Sequence, residues 1–104
     1  MKPKITVLIP TFNRRHFLAE CLDSILSQTY APSQILVVDN GSTDHTTDAL
    51  RPYGKAIECF KTPQSGKSVA INAGLLRVTG DYLWIFDDDD VAVSDALERL
   101  AEPL

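Results

Sequence analysis

The chain has 104 residues, of which 44% are hydrophobic and 23% are charged, and its formal net charge at pH 7 is −4. This length suits one domain and the composition is that of a globular protein, which excludes a disordered or fibrous chain. The acidic balance also argues against non-specific binding to nucleic acid or to an anionic membrane. The excess of acidic over basic residues is local, because four of the fourteen acidic residues are consecutive at Asp87–Asp90. The other ten acidic residues are matched in number by the ten Lys and Arg.

Four strand-like segments alternate with four helix-like segments along the chain. The predicted strands are Ile5–Ile9, Gln34–Val38, Ala56–Lys61 and Tyr82–Phe86. The predicted helices are Arg14–Gln28 with Asn13 as N-cap, a short helix capped by Ser42 or Thr43, Ser65–Val78, and Ser94–Ala101 with Ser94 as N-cap. Three of the strands are nearly continuous in β-branched or aromatic residues, which predicts strands covered on both faces. The alternation predicts a three-layer α/β/α fold with a mostly parallel, Rossmann-like sheet.

We expect neither a signal peptide nor a transmembrane helix within these residues. The first apolar run, Ile5–Ile9, is shorter than a signal-peptide core of roughly 7–15 residues. No apolar run approaches the roughly 18 residues that a transmembrane helix needs. Cys21 and Cys59 lack the spacing of a metal or redox motif, so we expect both thiols to be buried and reduced.

Three predicted strands end in polar or acidic residues. The first runs into Pro10-Thr11-Phe12-Asn13, the second into Asp39-Asn40-Gly41-Ser42, and the fourth into the four aspartates. Ligands of open α/β sheets bind beyond the carboxyl ends of the strands. We therefore expect these residues to converge on one rim.

The acidic tetrad, Asp87 to Asp90, is the most distinctive of these features. Adjacent carboxylates repel one another, and a solvated loop rarely follows a strand as apolar as Tyr82–Phe86. A hard divalent cation, Mg²⁺ or Mn²⁺, prefers oxygen ligands and would relieve the repulsion. If the segment stays extended, Asp87 and Asp89 share one face, and Asp88 and Asp90 share the other.

Two further patterns allow more than one interpretation. Asp39 precedes Asn-Gly, which favours a tight turn, but it could equally accept a hydrogen bond from a nucleobase or a ribose. Gly66-Lys67-Ser68 lies between a strand and a helix, as in a phosphate-binding P-loop. That motif needs a glycine where Lys61 stands, so the P-loop interpretation is weak.

Several segments, in order, resemble family 2 glycosyltransferases of the GT-A fold. They are VLIPTFNR (Val7–Arg14), SILSQT (Ser24–Thr29), ILVVDNGSTD (Ile35–Asp44), GKSVAINAG (Gly66–Gly74), Gly80-Asp81-Tyr82 and the tetrad. The resemblance covers essentially the whole chain. It implies an inverting, metal-dependent transfer of a sugar from a nucleoside diphosphate sugar, most often UDP-linked, to a hydroxyl of a saccharide or lipid-linked acceptor.

The resemblance also implies roles for individual residues. Pro10, Thr11 and Phe12 would line the nucleobase pocket, Asp39 would accept a hydrogen bond from the base, and Lys67 would lie near the diphosphate. Asp87, Asp88 and Asp89 would be the Asp-x-Asp element, with Asp87 and Asp88 at the nucleotide and Asp89 on Mn²⁺ or Mg²⁺. Asp90 matches a further acid of the family.

The resemblance implies limits as well. Family members continue into an acceptor-binding half that supplies the general base, so we expect residues 1–104 to be the donor-binding half, a fragment without a base of its own. We expect a cytoplasmic location, with the protein able to lie against the inner face of the membrane, and apolar surface left without the acceptor-binding half would favour a homodimer. The alternatives are a non-catalytic nucleotide-binding or assembly module and a phosphotransferase in which Asp87 accepts the phosphoryl group.

Overall fold

A computed structural model describes residues 2–63 and 66–104 of the chain. Its strands are β1 (Ile5–Thr11), β2 (Gln34–Asp39), β3 (Glu58–Lys61) and β4 (Tyr82–Ile85). Its α-helices are α1 (Arg15–Leu26), α2 (Thr46–Leu50), α3 (Lys67–Leu75) and α4 (Ala96–Ala101). A 3₁₀ helix, Arg51–Ala56, follows α2 and shortens the third predicted strand at its start. The predicted start of the third helix, Ser65, lies outside the described residues.

The four strands form a parallel sheet in the order β3-β2-β1-β4, which confirms the predicted α/β class. β1 lies between β2 and β4, and every residue of β1 and β2 is buried. Thr11 pairs with Asp39, and Asp39 pairs with Lys61, so β1, β2 and β3 end at the same edge of the sheet. That edge is the rim predicted to hold the site.

Helices cover both faces of the sheet because alternate residues of β1 and β2 point to opposite sides. One face packs against α1 and α4. Its buried side chains include Val7, Ile9, Val37, Leu18, Leu22, Ile25 and Leu97. The other face packs against α3 through a smaller cluster of Leu8, Leu36, Val38 and Ala70. The two clusters make the three layers that the alternation of elements predicted.

α3 approaches the sheet closely because small residues face it. Ala70 and Gly74 are the buried residues of α3. A Cβ on Gly74 would stand 2.6 Å from Leu8 Cδ1, so a larger residue would require the Leu8 side chain or the helix to shift. This close packing fixes the first turn of α3, which carries Lys67, relative to the end of β1.

The predicted helix caps are wrong, and the side chains of Asn13 and Ser42 bond to loops instead. Asn13 has a φ of 52° and its Oδ1 accepts a 2.8 Å hydrogen bond from the Thr43 N–H. Ser42 Oγ accepts a bond from the Asn13 N–H in return. α4 follows Asp95 rather than Ser94, and no side chain caps it. The pair formed by Asn13 and Ser42 ties the turn after β1 to the turn after β2, which holds the rim together.

The outer strands are less covered than predicted. Tyr82 and Ile85 of β4 are 46% and 43% exposed, because β4 pairs with β1 alone among the described strands. Cys59 is exposed on β3, the opposite edge strand, so its predicted burial is wrong. Cys21 is buried as predicted. Within the described ranges, no helix combines the length and the apolar character needed to cross a membrane.

Candidate functional site

A cleft of about 490 Å³ opens at the carboxyl edge of the sheet. Its walls come from the ends of β1, β2 and β4 and from the start of α3. The lining residues are Pro10, Thr11, Phe12, Arg14, Asn40, Gly66, Lys67, Asp87, Asp88 and Asp89. The structure therefore confirms the predicted convergence of the strand ends, and it brings seven of the eight predicted nucleotide- and metal-binding residues, all but Asp39, into one cleft.

The acidic tetrad is a turn rather than an extended segment. The Asp90 N–H donates a 3.2 Å hydrogen bond to the Asp87 carbonyl, which folds the chain back at Asp88 and Asp89. The predicted alternation of faces is therefore wrong. Asp87, Asp89 and Asp90 each offer a carboxylate oxygen within 4.8 Å of the others, and all three residues are exposed. We call these three residues the acidic cluster.

Asp88 points away from the acidic cluster and toward β1. Its Oδ2 accepts a 2.9 Å hydrogen bond from Thr11 Oγ1, and its Oδ1 lies 3.7 Å from Arg14 Nε. Burial raises the pKa of Asp88, while hydrogen bonds from Thr11 and from the Phe12 N–H, and the Arg14 charge, act in the opposite direction. Asp88 thus anchors the turn to the end of β1.

Lys67 faces the acidic cluster from the opposite wall of the cleft. Its Nζ lies 2.8 Å from Asp87 Oδ1, and the Lys67 and Asp87 side chains are 61% and 52% exposed. The hydrogen bond to Asp87 raises the pKa of Lys67. Gly66, immediately before it, has a φ of 98°, a conformation that favours glycine and directs the chain into α3. This turn places the lysine at the acids.

Cys21 of α1 packs beneath the acidic turn and contacts its backbone. Its Sγ lies 3.5 Å from the Asp87 carbonyl oxygen, to which the thiol donates. Burial, followed by the charges of the four aspartates, raises the pKa of Cys21 to about 12. A thiolate would add negative charge beneath an already acidic turn, so the thiol keeps its proton. The sequence placed Cys21 on the buried stripe of α1 but did not reveal this contact.

Asp39 is buried beside the cleft rather than in its lining. Its Oδ1 accepts a 2.9 Å hydrogen bond from the Ser42 N–H, and its Oδ2 lies 3.3 Å from Thr47 Oγ1. Only 1% of Asp39 is exposed. These contacts support the turn interpretation, and a nucleobase contact remains a prediction. Its neighbour Asn40, interpreted from the sequence as a turn residue, does line the cleft.

Arg14 is a second cleft residue that the sequence did not single out, after Asn40. It was assigned to the first helix, but it precedes α1 and lines the cleft with its side chain 49% exposed. A cation directly after a strand-end turn was the available signal. Arg14 and Lys67 place two positive charges around the acidic turn, so the cleft can interact with an anion as well as with a cation.

The acidic cluster has the donor chemistry of a hard-metal site. Three carboxylates supply oxygen ligands alone, which suits Mg²⁺ or Mn²⁺ better than softer metals. Their exposure leaves room for water or a second ligand on the ion. The residues present therefore fit the divalent metal that the resemblance implied.

A family model described as Glycosyl transferase family 2 matches residues 6–104. The chain belongs to this family. It is 37% identical over 100 residues to the glycosyltransferase GlyA of Streptococcus pneumoniae, covering 93% of this chain and 14% of GlyA. It is 34% identical over 105 residues to TuaG of Bacillus subtilis, a putative teichuronic acid biosynthesis glycosyltransferase, covering 97% of this chain and 42% of TuaG. The chain thus spans less than half the length of these family members.

Solved structures show the same fold. TarS of S. aureus, residues 1–349, superposes with a TM-score of 0.86 at 26% identity, over 94% of this chain and 31% of TarS. TarS 1–349 has also been solved with UDP, and that structure superposes with a TM-score of 0.80 at 25% identity, over the same shares of the two chains. The mannosyltransferase PcManGT of Pyrobaculum calidifontis, solved with GDP-Man and Mn²⁺, has a TM-score of 0.80 at 30% identity, over 99% of this chain and 34% of PcManGT. The four-stranded parallel sheet is therefore that of a GT-A glycosyltransferase.

Proposed function

We propose that residues 1–104 form the donor-binding half of an inverting glycosyltransferase that moves a sugar from a nucleoside diphosphate sugar, UDP-linked, to a hydroxyl of a saccharide or lipid-linked acceptor. The observation that carries the proposal is the acidic cluster, which lies in the cleft at the strand ends of a family 2 chain. UDP in a TarS structure, and GDP-Man with Mn²⁺ in PcManGT, support a nucleotide and a metal in the corresponding half of this fold.

The cleft divides into a part for the nucleotide and a part for the metal. We assign the nucleobase to the wall made by Pro10, Thr11 and Phe12, where Phe12 is 38% exposed and offers a face for stacking. We assign Asp39, at the end of β2, to the base as a hydrogen-bond acceptor, because each carboxylate oxygen can accept more than one hydrogen bond.

The acidic turn holds the metal and the sugar nucleotide together. We assign the metal to Asp89, with Asp87 and Asp90 beside it in the acidic cluster, and the ribose to Asp87. Lys67, on the facing wall, is assigned to the diphosphate. Asp88 acts on the nucleotide indirectly, because its contacts with Thr11 and Arg14 fix the turn in place.

The charges of the cleft set the order of binding. An acidic cluster by itself repels a diphosphate, so donor binding requires a cation to be present with it or before it. A bound divalent metal supplies Lewis-acid stabilisation of the diphosphate as the bond to the sugar breaks. Arg14 and Lys67 add two positive charges near the same leaving group.

Calorimetry tests the proposal on this chain. We expect UDP to bind in the presence of Mn²⁺ and to bind at least about tenfold more weakly without it. Asp89→Asn should abolish the effect of the metal. Glu20→Gln, which removes a negative charge from an exposed position on α1, is the matched control and should bind as the unmodified chain does. Metal-independent UDP binding, or an unchanged metal effect in Asp89→Asn, would overturn the proposal.

A further inference from the structure

Lys67 contacts one of the carboxylates that would serve the metal. Asp87 belongs to the acidic cluster, and Lys67 Nζ lies 2.8 Å from Asp87 Oδ1. The ammonium therefore occupies one side of an oxygen in the same cluster to which a divalent ion would be drawn. Two cations beside one carboxylate repel each other, so metal binding and this ion pair oppose one another.

The fold brings the lysine to the acids but leaves its side chain free to move. The close packing of Ala70 and Gly74 on the sheet fixes the first turn of α3. The Lys67 side chain itself is 61% exposed, so it can leave Asp87 without repacking the core. The backbone at Lys67 is held by the packing of α3, whereas its exposed side chain has space to turn within the cleft that it lines.

We propose that Lys67 is an internal counter-cation, which holds the acidic cluster when no donor is bound and exchanges Asp87 for the diphosphate when a divalent metal arrives with the nucleotide. This inference rests on the proposed function and adds a positioning residue to it. The same ammonium neutralises the carboxylates of the empty cleft and the phosphates of the filled one. It thereby weakens metal binding before the nucleotide is present and strengthens nucleotide binding afterwards.

The exchange predicts effects of opposite sign from one substitution. Lys67→Met keeps most of the length of the side chain and removes its charge. For Mn²⁺ alone, Lys67→Met should bind roughly three- to tenfold more tightly than the unmodified chain, because the competing ion pair is gone. For UDP at saturating Mn²⁺, the same variant should bind roughly three- to tenfold more weakly, because the diphosphate has lost a cation.

Electron paramagnetic resonance of free Mn²⁺ measures the first effect, and calorimetry measures the second. Lys55→Met removes the same charge from an exposed position away from the cleft and should change neither affinity. Lys67→Arg retains the charge and should return both affinities toward those of the unmodified chain. Circular dichroism checks that each variant is folded, as expected for exposed side chains.

The outcomes separate this inference from the proposed function. If Mn²⁺ binds and Asp89→Asn loses it, while Lys67→Met binds Mn²⁺ with unchanged or weaker affinity, the counter-cation inference is overturned and the donor-site proposal stands. If Mn²⁺ does not bind the unmodified chain, both are overturned. Tighter Mn²⁺ binding together with weaker UDP binding in Lys67→Met, reversed in Lys67→Arg, supports the exchange.

Discussion

Thr11 and Asp88 are 77 positions apart in the chain, yet Thr11 Oγ1 donates a 2.9 Å hydrogen bond to Asp88 Oδ2. The bond joins the end of the central strand β1 to the acidic turn after β4. Because Asp88 points toward β1, the neighbouring aspartates turn toward the cleft. The orientation of the acidic cluster toward the cleft thus depends on the hydroxyl group of Thr11, which is near the other end of the chain.

Replacing Thr11 with Val should therefore loosen the acidic turn. We expect Thr11→Val to lower the free energy of unfolding by about 1 kcal/mol, because the partly buried Asp88 carboxylate loses a hydrogen-bond donor. The same loss should raise the pKa of Asp88 further, since that bond favours the charged form. Urea unfolding measures the first effect, and carboxyl NMR shifts followed against pH measure the second.

A double-mutant cycle with Asp88→Ala, which removes both acceptor oxygens, isolates this contact. If Thr11 and Asp88 interact as the geometry indicates, the two substitutions together should cost less than the sum of their separate costs. Additive costs would show that the hydrogen bond contributes nothing to stability in solution.

Gly80 is predicted to tolerate substitution less than Gly74. A Cβ on Gly80 would meet backbone atoms, at 2.8 Å from the Thr6 nitrogen and 2.9 Å from the Lys4 oxygen. The Gly74 Cβ would meet side-chain atoms of Leu8, at 2.6 Å and 3.1 Å. The backbone at the start of β1 cannot move aside without disturbing the sheet, whereas the Leu8 side chain can shift. Alanine also has a higher helix propensity than glycine, which favours Gly74→Ala within α3.

We expect Gly80→Ala to lower the free energy of unfolding by about 2 kcal/mol or more and Gly74→Ala by about 1 kcal/mol. Chemical denaturation of both variants measures the difference in the free energy of unfolding, provided that its dependence on denaturant concentration is the same for the two variants. Equal stability of Gly80→Ala and the unmodified chain would mean that the start of β1 and the turn before β4 are further apart in solution.

The two cysteines should differ in reactivity. Burial raises the pKa of both thiols, but Cys59 is exposed, whereas Cys21 is buried and its pKa is raised to about 12. At about pH 8, a thiol reagent such as Ellman's reagent should modify Cys59 in the native chain and Cys21 after unfolding. Cys59→Ser should therefore remove the native reaction. A rapid reaction of the native Cys59→Ser variant would contradict the burial of Cys21 beneath the acidic turn.

The same pKa shift predicts a loss of stability in alkali. The unfolded chain loses the Cys21 proton near the ordinary pKa of 9.0, but the native chain keeps it until about 12. Between these values the native state binds more protons, so the free energy of unfolding falls as pH rises from about 9 to about 12. Cys21→Ala removes the titrating group, and its stability should depend less on pH across that window when both chains are unfolded with urea.

The order of elements and the meeting of the strand ends could be predicted because they follow from local patterns. Apolar runs such as Ile5–Ile9 and their alternation with helices define parallel strands, and parallel strands end at one edge. The exposure of Cys59 and Ile85 could not be predicted, because it depends on which strands lie at the sheet edges. The strand order, β3-β2-β1-β4, is not determined by the local sequence pattern of any single segment.

The location of the acidic tetrad at the rim could be predicted, but its shape could not. Four consecutive aspartates are compatible with an extended strand end or with a turn. Two contacts select the turn: the backbone hydrogen bond from Asp90 to Asp87, and the hydrogen bond from Thr11 to Asp88. Thr11 is distant from the tetrad in sequence, so a local pattern does not reveal its contact. Asn13 was misjudged for the same reason, since its partners Ser42 and Thr43 are loop residues from beyond β2.

Asp39 offers a test in which folding and ligand binding can be separated. Its two carboxylate oxygens accept hydrogen bonds from the Ser42 N–H and from Thr47. Asp39→Asn keeps one acceptor oxygen and replaces the other with a donor, so we expect the free energy of unfolding to fall by about 1–2 kcal/mol. If Asp39 also accepts a hydrogen bond from the nucleobase, UDP affinity in the presence of Mn²⁺ should fall by about tenfold.

Thr47→Val provides the matched control, because it removes a partner of Asp39 without touching its carboxylate. We expect Thr47→Val to reduce stability by a similar or smaller amount, about 1 kcal/mol, and to leave UDP affinity nearly unchanged. Thermal unfolding and calorimetry on the two variants make the comparison. Both variants disturb the turn, so a loss of UDP affinity that is confined to Asp39→Asn would place the Asp39 carboxylate on the base. Equal UDP affinity in the two variants would assign Asp39 to the turn alone.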